Sequence, residues 1–243
     1  MIIYGRNPVF ETLKNRPTKI DKIFVSKSAE HSFVEKILRI SKANNIPLQF
    51  VHISKLNEIA KGKNHQGIVA SVLPKEYTNL DELISKAKNS ATQAICILDR
   101  ITDPQNFGAI LRNANFFGII GVVIPARNSS GLTASVIKVS SGASEFVEVA
   151  KVSNISYTID KLKKERFWIV GTDTNQGEDL RKIQIPRPVA IVLGSEGSGI
   201  KRLIKEKCDF ILRISKIGPL GINSLNVASA SAIIFYELSR PVF

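Results

Sequence analysis

Two glycine-rich loops carry the residues best suited to chemistry. One is Ile191-Val-Leu-Gly-Ser-Glu-Gly-Ser-Gly199, and the other is Gly218-Pro-Leu-Gly-Ile-Asn-Ser-Leu-Asn226. Each follows an apolar, strand-like run and leads into a helical pattern. Glycines let backbone groups approach a ligand closely, and open α/β sheets bind ligands beyond the carboxyl ends of their strands. Two such loops so near in sequence point to one shared small-molecule pocket. Three familiar pockets fail the spacing test. A P-loop needs a lysine after its second glycine, but Gly199 is followed by Ile200. A dinucleotide fingerprint needs Gly-x-Gly-x-x-Gly, but Gly197-Ser-Gly199 runs into Ile200, Lys201 and Arg202. Neither Ser195 nor Ser198 has the flanking glycines of a hydrolase elbow. Glu196 inside the first loop would repel a phosphate and suits a cationic or hydrogen-bond-donating ligand.

A third stretch, Asp99 to Gly118, follows the apolar run Ala94–Leu98. Asp103-Pro104 is expected to make a turn and Asn106 to cap a helix. Arg112 projects from that helix, while Ile110, Leu111, Ala114 and Phe117 supply its buried side. Capping by Asn106 beside a solvated Arg112 is the bland reading of the same spacing. From residue 93 onward there is no histidine, since His31, His52 and His65 all lie earlier. The usual general base near neutral pH is thus missing. With no close carboxylate pair and no metal-ligand spacing, His-based hydrolysis, zinc chemistry and most dehydrogenation are disfavoured.

The elements that must position these loops divide the 243 residues in two. Residues 1–74 alternate short strands (22–25, 48–51, 67–72) with helices. Asn7-Pro8 is expected to open the first of these helices, a Ser32–Glu35 capping box the second, and Ser54 the third. Residues 75–92 form a linker, placed around Pro74–Leu80, and a first helix. From residue 93 to 243 strand–loop–helix repeats, with strands near 94–98, 121–124, 147–149, 167–171, 189–193 and 210–212 and helices near 106–117, 133–140, 156–165, 199–207 and 225–239. That alternation predicts an α/β domain on a parallel sheet.

Hydrophobic content is 44% and the net charge is +13. Up to Lys75 there are 13 Lys+Arg against 5 Asp+Glu, and in the remainder 21 against 16, so the first part is the more basic per residue. A polyanion, most commonly nucleic acid, is the natural partner. No apolar run approaches the roughly 18 residues that span a bilayer. The opening Met-Ile-Ile-Tyr-Gly-Arg-Asn-Pro is not a signal peptide, and Cys96 and Cys208 form no CxxC pair. A reducing cytoplasm is the expected compartment.

Three stretches resemble the three motifs of the SpoU/TrmH family (SPOUT superfamily) of RNA ribose 2′-O-methyltransferases, in family order: Asp103-Pro-Gln-Asn-Phe-Gly-Ala-Ile-Leu-Arg-Asn-Ala114, Val192-Leu-Gly-Ser-Glu-Gly-Ser-Gly199 and Ser224-Leu-Asn-Val-Ala-Ser-Ala230. The basic first domain, closing on Asn64-His-Gln-Gly-Ile-Val69, resembles the family's substrate-binding module. The resemblance implies a small α/β substrate-binding domain ahead of an α/β trefoil-knot domain, its C-terminal segment threaded through a loop. It implies S-adenosylmethionine held by Leu193, Gly194, Gly199, Ile214 and Leu225, with no metal. It implies catalytic roles for Asn106, Arg112, Glu196, Ser224 and Asn226, and a homodimer packed through C-terminal helices that carry small residues such as Ala228 to Ala232. The arrangement is most similar to members that methylate a guanosine of 23S-type ribosomal RNA. A tRNA target and a non-catalytic RNA-binding or ribosome-assembly factor of the same fold are the alternatives. One departure stands out. Where the family has Ile-Pro-Met and a short glycine loop, Ile214-Ser-Lys-Ile-Gly-Pro-Leu-Gly-Ile-Asn223 lacks Pro-Met and is about two residues longer by comparison with that pattern.

Overall fold

A computed structural model describes residues 1–218 and 224–240. The chain forms two compact units. In chain order the first holds β1 (Ile2–Tyr4), α1 (Arg6–Asn15), β2 (Ile20–Ser26), α2 (His31–Ala43), β3 (Leu48–Val51), α3 (Ile53–Ile59) and β4 (Ile68–Val72). The second continues with α4 (Leu80–Lys88), β5 (Ala94–Asp99), α5 (Pro104–Phe116) and β6 (Gly121–Pro125). After α6 (Ala134–Val139) come β7 (Glu148–Val152), α7 (Ile155–Lys164), β8 (Trp168–Thr172) and the two-residue β9 (Glu178–Asp179). The chain ends with β10 (Val189–Gly194), α8 (Arg202–Lys205), β11 (Phe210–Arg213) and α9 (Val227–Ser239).

The first unit is a four-stranded sheet in the order β1-β4-β2-β3, antiparallel except for β2–β3. Its core gathers Ile3, Val9, Leu13, Ile23, Ile37 and Ile68, all buried. Residues 132–145 belong to this unit although they arrive late in sequence. Ile137 of α6 enters the core. Arg16 grips Glu145 through two hydrogen bonds at 2.5 and 2.9 Å, and Thr12 adds a third at 2.9 Å. The Glu145 side chain is 1% exposed, and removing one partner of such a buried pair costs about 3–5 kcal/mol. His65 accepts from the Gly67 amide at Nδ1 (3.0 Å) and meets Asn57 through Nε2 (2.9 Å). It therefore shapes the turn into β4.

The second unit is a seven-stranded sheet in the order β7-β6-β5-β10-β8-β11-β9. Every pairing is parallel. β5 and β10 lie at its centre and are covered on both faces, which is why they read as unbroken apolar runs rather than alternating ones. From β5 the chain moves to β6 on one side; from β10 it moves to β11 on the other. The crevice between Asp99 and Gly194, partners in register, is therefore a topological switch point.

Several helix starts differ from those read in the sequence. Asp103, not Asn106, caps α5 by accepting from the Gln105 amide at 3.0 Å, with Pro104 in the first turn. Asn106 thus sits inside the helix with its amide free for other work. α1 begins at Arg6 after Gly5, ahead of Asn7. Ser32 donates to Glu30 at 2.6 Å instead of capping α2, and His52 rather than Ser54 caps α3. The expected helix over 199–207 contracts to Arg202–Lys205, because residues 195–199 form a closed turn. The threading expected of the C-terminal segment, like the altered 215–223 loop, involves residues 219–223, which lie outside the described residues.

Candidate functional site

β10 delivers the first glycine loop at the carboxyl end of the sheet. Ser195 and Gly199 bridge, with the Gly199 amide donating to the Ser195 carbonyl at 2.8 Å. A Cβ on Gly194 would stand 2.1 Å from the Gly199 carbonyl carbon, so only glycine permits this approach. The loop's far stem is tied to β5. The buried Asp99 accepts from the Lys201 amide at 2.9 Å, and Arg100 donates to the Gly199 carbonyl at 3.1 Å. The sequence reading assigned nothing to these two residues. Asp99 alone carried a signal, a carboxylate closing an apolar strand directly ahead of the first motif.

This bracing brings Glu196 to α5 and to the start of α9. Asn106 Nδ2 donates to Glu196 Oε1 at 3.0 Å. Asn226 Nδ2 donates to Asn106 Oδ1 at 2.9 Å and also to the same Glu196 oxygen. Asn226 Oδ1 caps α9 by accepting from the Ala228 and Ser229 amides at 2.9 and 3.4 Å. The Asn226 amide is therefore oriented by helix geometry, its oxygen toward α9 and its NH₂ toward the carboxylate. Asn113 fastens the two helices to each other, donating to the Ala228 carbonyl at 2.8 Å and to Ser231 Oγ at 3.0 Å.

Behind this triangle lies a cavity of about 440 Å³, within the range of small-molecule sites. All five residues expected to hold a cofactor line it: Leu193, Gly194, Gly199, Ile214 and Leu225. So do Glu196 and Ser224. Ser224 is exposed and makes no hydrogen bond among the described residues. Val227, Ala230 and Ile234 form one wall, as the i, i+3, i+7 face of α9. The opposite rim is a turn pinned by Asp173, whose carboxylate accepts from the Asn175 and Gln176 amides at 2.8 and 3.0 Å and from Lys205 at 2.6 Å. Burial works against the charged Asp173, but these donors outweigh it and hold its carboxyl below the usual carboxylate value.

Arg112 stands apart. It is exposed on α5, and its side chain has no ion pair or hydrogen bond among the described residues. One turn along the same side, Phe116 is 81% exposed. With Phe117, Ile233 and Tyr236 it makes an apolar face, the Phe116–Phe117 and Phe117–Tyr236 rings meeting edge-on at 5.0 and 6.0 Å. Among the described residues no cluster of three or more His, Cys, Asp or Glu could hold a metal ion, and no helix is long and apolar enough to cross a membrane.

The family model described as the SpoU rRNA Methylase family matches residues 93–236, and the one described as RNA 2′-O ribose methyltransferase substrate binding matches residues 2–78. Over 239 residues the chain is 38% identical to a Bacillus subtilis protein named as a TrmH family tRNA/rRNA methyltransferase, covering 98% of this chain and 94% of that one. A Staphylococcus epidermidis protein of the same designation is 40% identical over 241 residues, covering 99% and 95%. The solved SpoU methyltransferase AviRb from Streptomyces viridochromogenes, in complex with AdoMet, superimposes with a TM-score of 0.79 over 98% of this chain and 89% of that one. At 18% identity this last likeness shows the fold.

Proposed function

The chain belongs to the SpoU rRNA methylase family, and on that premise we propose that it methylates a ribose 2′-hydroxyl of structured RNA, a guanosine of 23S-type ribosomal RNA, from S-adenosylmethionine. The observation that carries this reading is the triangle of Asn106, Glu196 and Asn226 at the mouth of the glycine-loop cavity. The cavity fits the cofactor. Apolar Leu193, Leu212, Leu225, Val227 and Ile234 line it beside the carboxylates of Asp173 and Glu196 and the hydroxyls of Thr172 and Ser224, a set suited to a cationic nucleoside. When bound, S-adenosylmethionine supplies a methyl group on a sulfonium, a leaving group that needs no general acid.

The protein's task is then to hold the ribose and ease loss of its proton. Asn106 and Asn226 present amides fixed by Glu196, and Ser224 adds a hydroxyl at the same rim, without a partner among the described residues. Arg112 stabilises the alkoxide that develops on the 2′-oxygen, with water or a phosphate taking the proton. A guanidinium is a poor base. The exposed Phe116, Ile233 and Tyr236 support a homodimer through α5 and α9, and that dimer covers Arg112 too, drying its guanidinium and strengthening its field. The basic first unit takes up the RNA, which proteins read by shape, backbone and unstacked bases.

The test is transfer of labelled methyl from S-adenosylmethionine to total RNA and to ribosomal precursor particles from cells lacking the protein, followed by mapping. Label on the 2′-oxygen of a 23S-type guanosine is expected. Label confined to tRNA would move the substrate assignment, and no label in either preparation would favour a non-catalytic assembly factor.

A further inference from the structure

The cavity holds two carboxylates and two cations, and they differ in how they are engaged. Asp173 is matched by Lys205 and two backbone amides, and Glu196 by Asn106 and Asn226. Arg213 and Lys216 also line the cavity, yet neither side chain makes an ion pair or hydrogen bond among the described residues. Arg213 Nε is buried with no acceptor. A cation that lines a ligand cavity without a protein partner is placed to meet an acceptor on the ligand. Arg213 closes β11 and Lys216 follows three residues later, so both cations stand at the carboxyl end of a parallel strand, where such sheets bind ligands.

We propose that Arg213 and Lys216 recognise the α-carboxylate of the cofactor's amino-acid tail. The assignment rests on the reading of this cavity as the S-adenosylmethionine site. Asp173 is paired with Lys205 and Glu196 is held by neutral amides, and among the described residues neither Arg213 nor Lys216 has an acid partner. A carboxylate is the one anionic group the cofactor carries, and a guanidinium or ammonium holds it through charge-assisted hydrogen bonds. Lys216 stands in the stretch that lacks the Pro-Met of related sequences. The departure there puts a cation at the cavity. It makes this chain select for nucleosides that keep the carboxylate, S-adenosylhomocysteine included.

Calorimetric titration of the full chain with S-adenosylmethionine and with decarboxylated S-adenosylmethionine tests the assignment without any turnover. The wild type is expected to prefer the carboxylated form by about tenfold or more. Lys216→Met should shrink that preference to about threefold or less, and Lys216→Arg should restore it. Lys216 is exposed, so these variants fold. Arg213→Gln is the second probe, its folding checked by circular dichroism. A preference unchanged in both Lys216→Met and Arg213→Gln overturns the assignment and leaves the cofactor site standing. A Lys216→Met variant with unchanged preference but weakened RNA affinity also overturns it, because the cation then serves a phosphate. Failure of the wild type to bind either nucleoside overturns the cofactor site and this assignment together.

Discussion

Asn226 and Asn106, 120 residues apart in sequence, are hydrogen-bonded at 2.9 Å, and both amides donate to one oxygen of Glu196. The pairing makes a cap residue of α9 part of the rim of the site. Asn226→Asp keeps the capping oxygen but turns the donor into a second acid beside Glu196. Like charges at that distance repel. The variant is expected to unfold at nearly the wild-type temperature while losing methyl transfer by about 100-fold or more. Calorimetry and labelled-methyl transfer on the same sample separate the two effects.

Arg112→Ala should reduce methyl transfer by about 100- to 1000-fold, the usual loss when a transition-state donor is removed. Cofactor affinity should stay within about twofold, because Arg112 does not line the cavity. Wild-type turnover in this variant would remove Arg112 from the mechanism.

Placing aspartate at both Phe116 and Tyr236 should convert a dimer to a monomer in sedimentation velocity and abolish transfer together with it. The substitutions put two charges into the apolar face. A fully active monomer would rule out the dimer's part in catalysis.

The parallel sheet was legible in sequence because its strands are buried on both faces and announce themselves as continuous apolar runs such as Ala190 to Leu193. The cavity wall was legible because the glycine loops follow those runs. The rim was harder to read. Asn106 looked like a cap, and only the structure shows that Asp103 takes that role a turn earlier and frees the amide. Arg100 has a left-handed backbone, φ 63°, and no pattern in a single sequence marks its reach to Gly199. The small residues of α9 proved mixed in purpose: Ala228 and Ser231 receive Asn113, whereas Ala230 lines the cavity.

His65 offers a pH test of the first unit. Burial, reinforced by the nearby Lys138 cation, holds it below its ordinary value of 6.5. The folded chain therefore binds this proton less readily than the unfolded chain. The stability contribution is complete above about pH 6.5 and is lost as pH falls through the lowered folded value. Thermal unfolding from pH 7.5 to 5 should show a shallower acid slope in His65→Gln than in the wild type. Equal slopes would exclude His65 as a source.

Cys208 should be slow to alkylate. Burial, aided by the Asp209 carboxylate, pushes its thiol up to about 11, and only the thiolate reacts. Its rate with iodoacetamide should rise about tenfold per pH unit between 8 and 10. A plateau below pH 9 would contradict this.

The first unit's dependence on residues 132–145 bears on how such proteins can be recombined. The two matched family segments, 2–78 and 93–236, invite a single cut between them. A graft made there would leave Arg16 and Thr12 without Glu145, and the core without Ile137. Exchanging RNA-binding units between relatives therefore requires two pieces of chain to travel together. Substitutions on either piece are expected to track each other, because the buried pair and the core they share belong to a single folding unit.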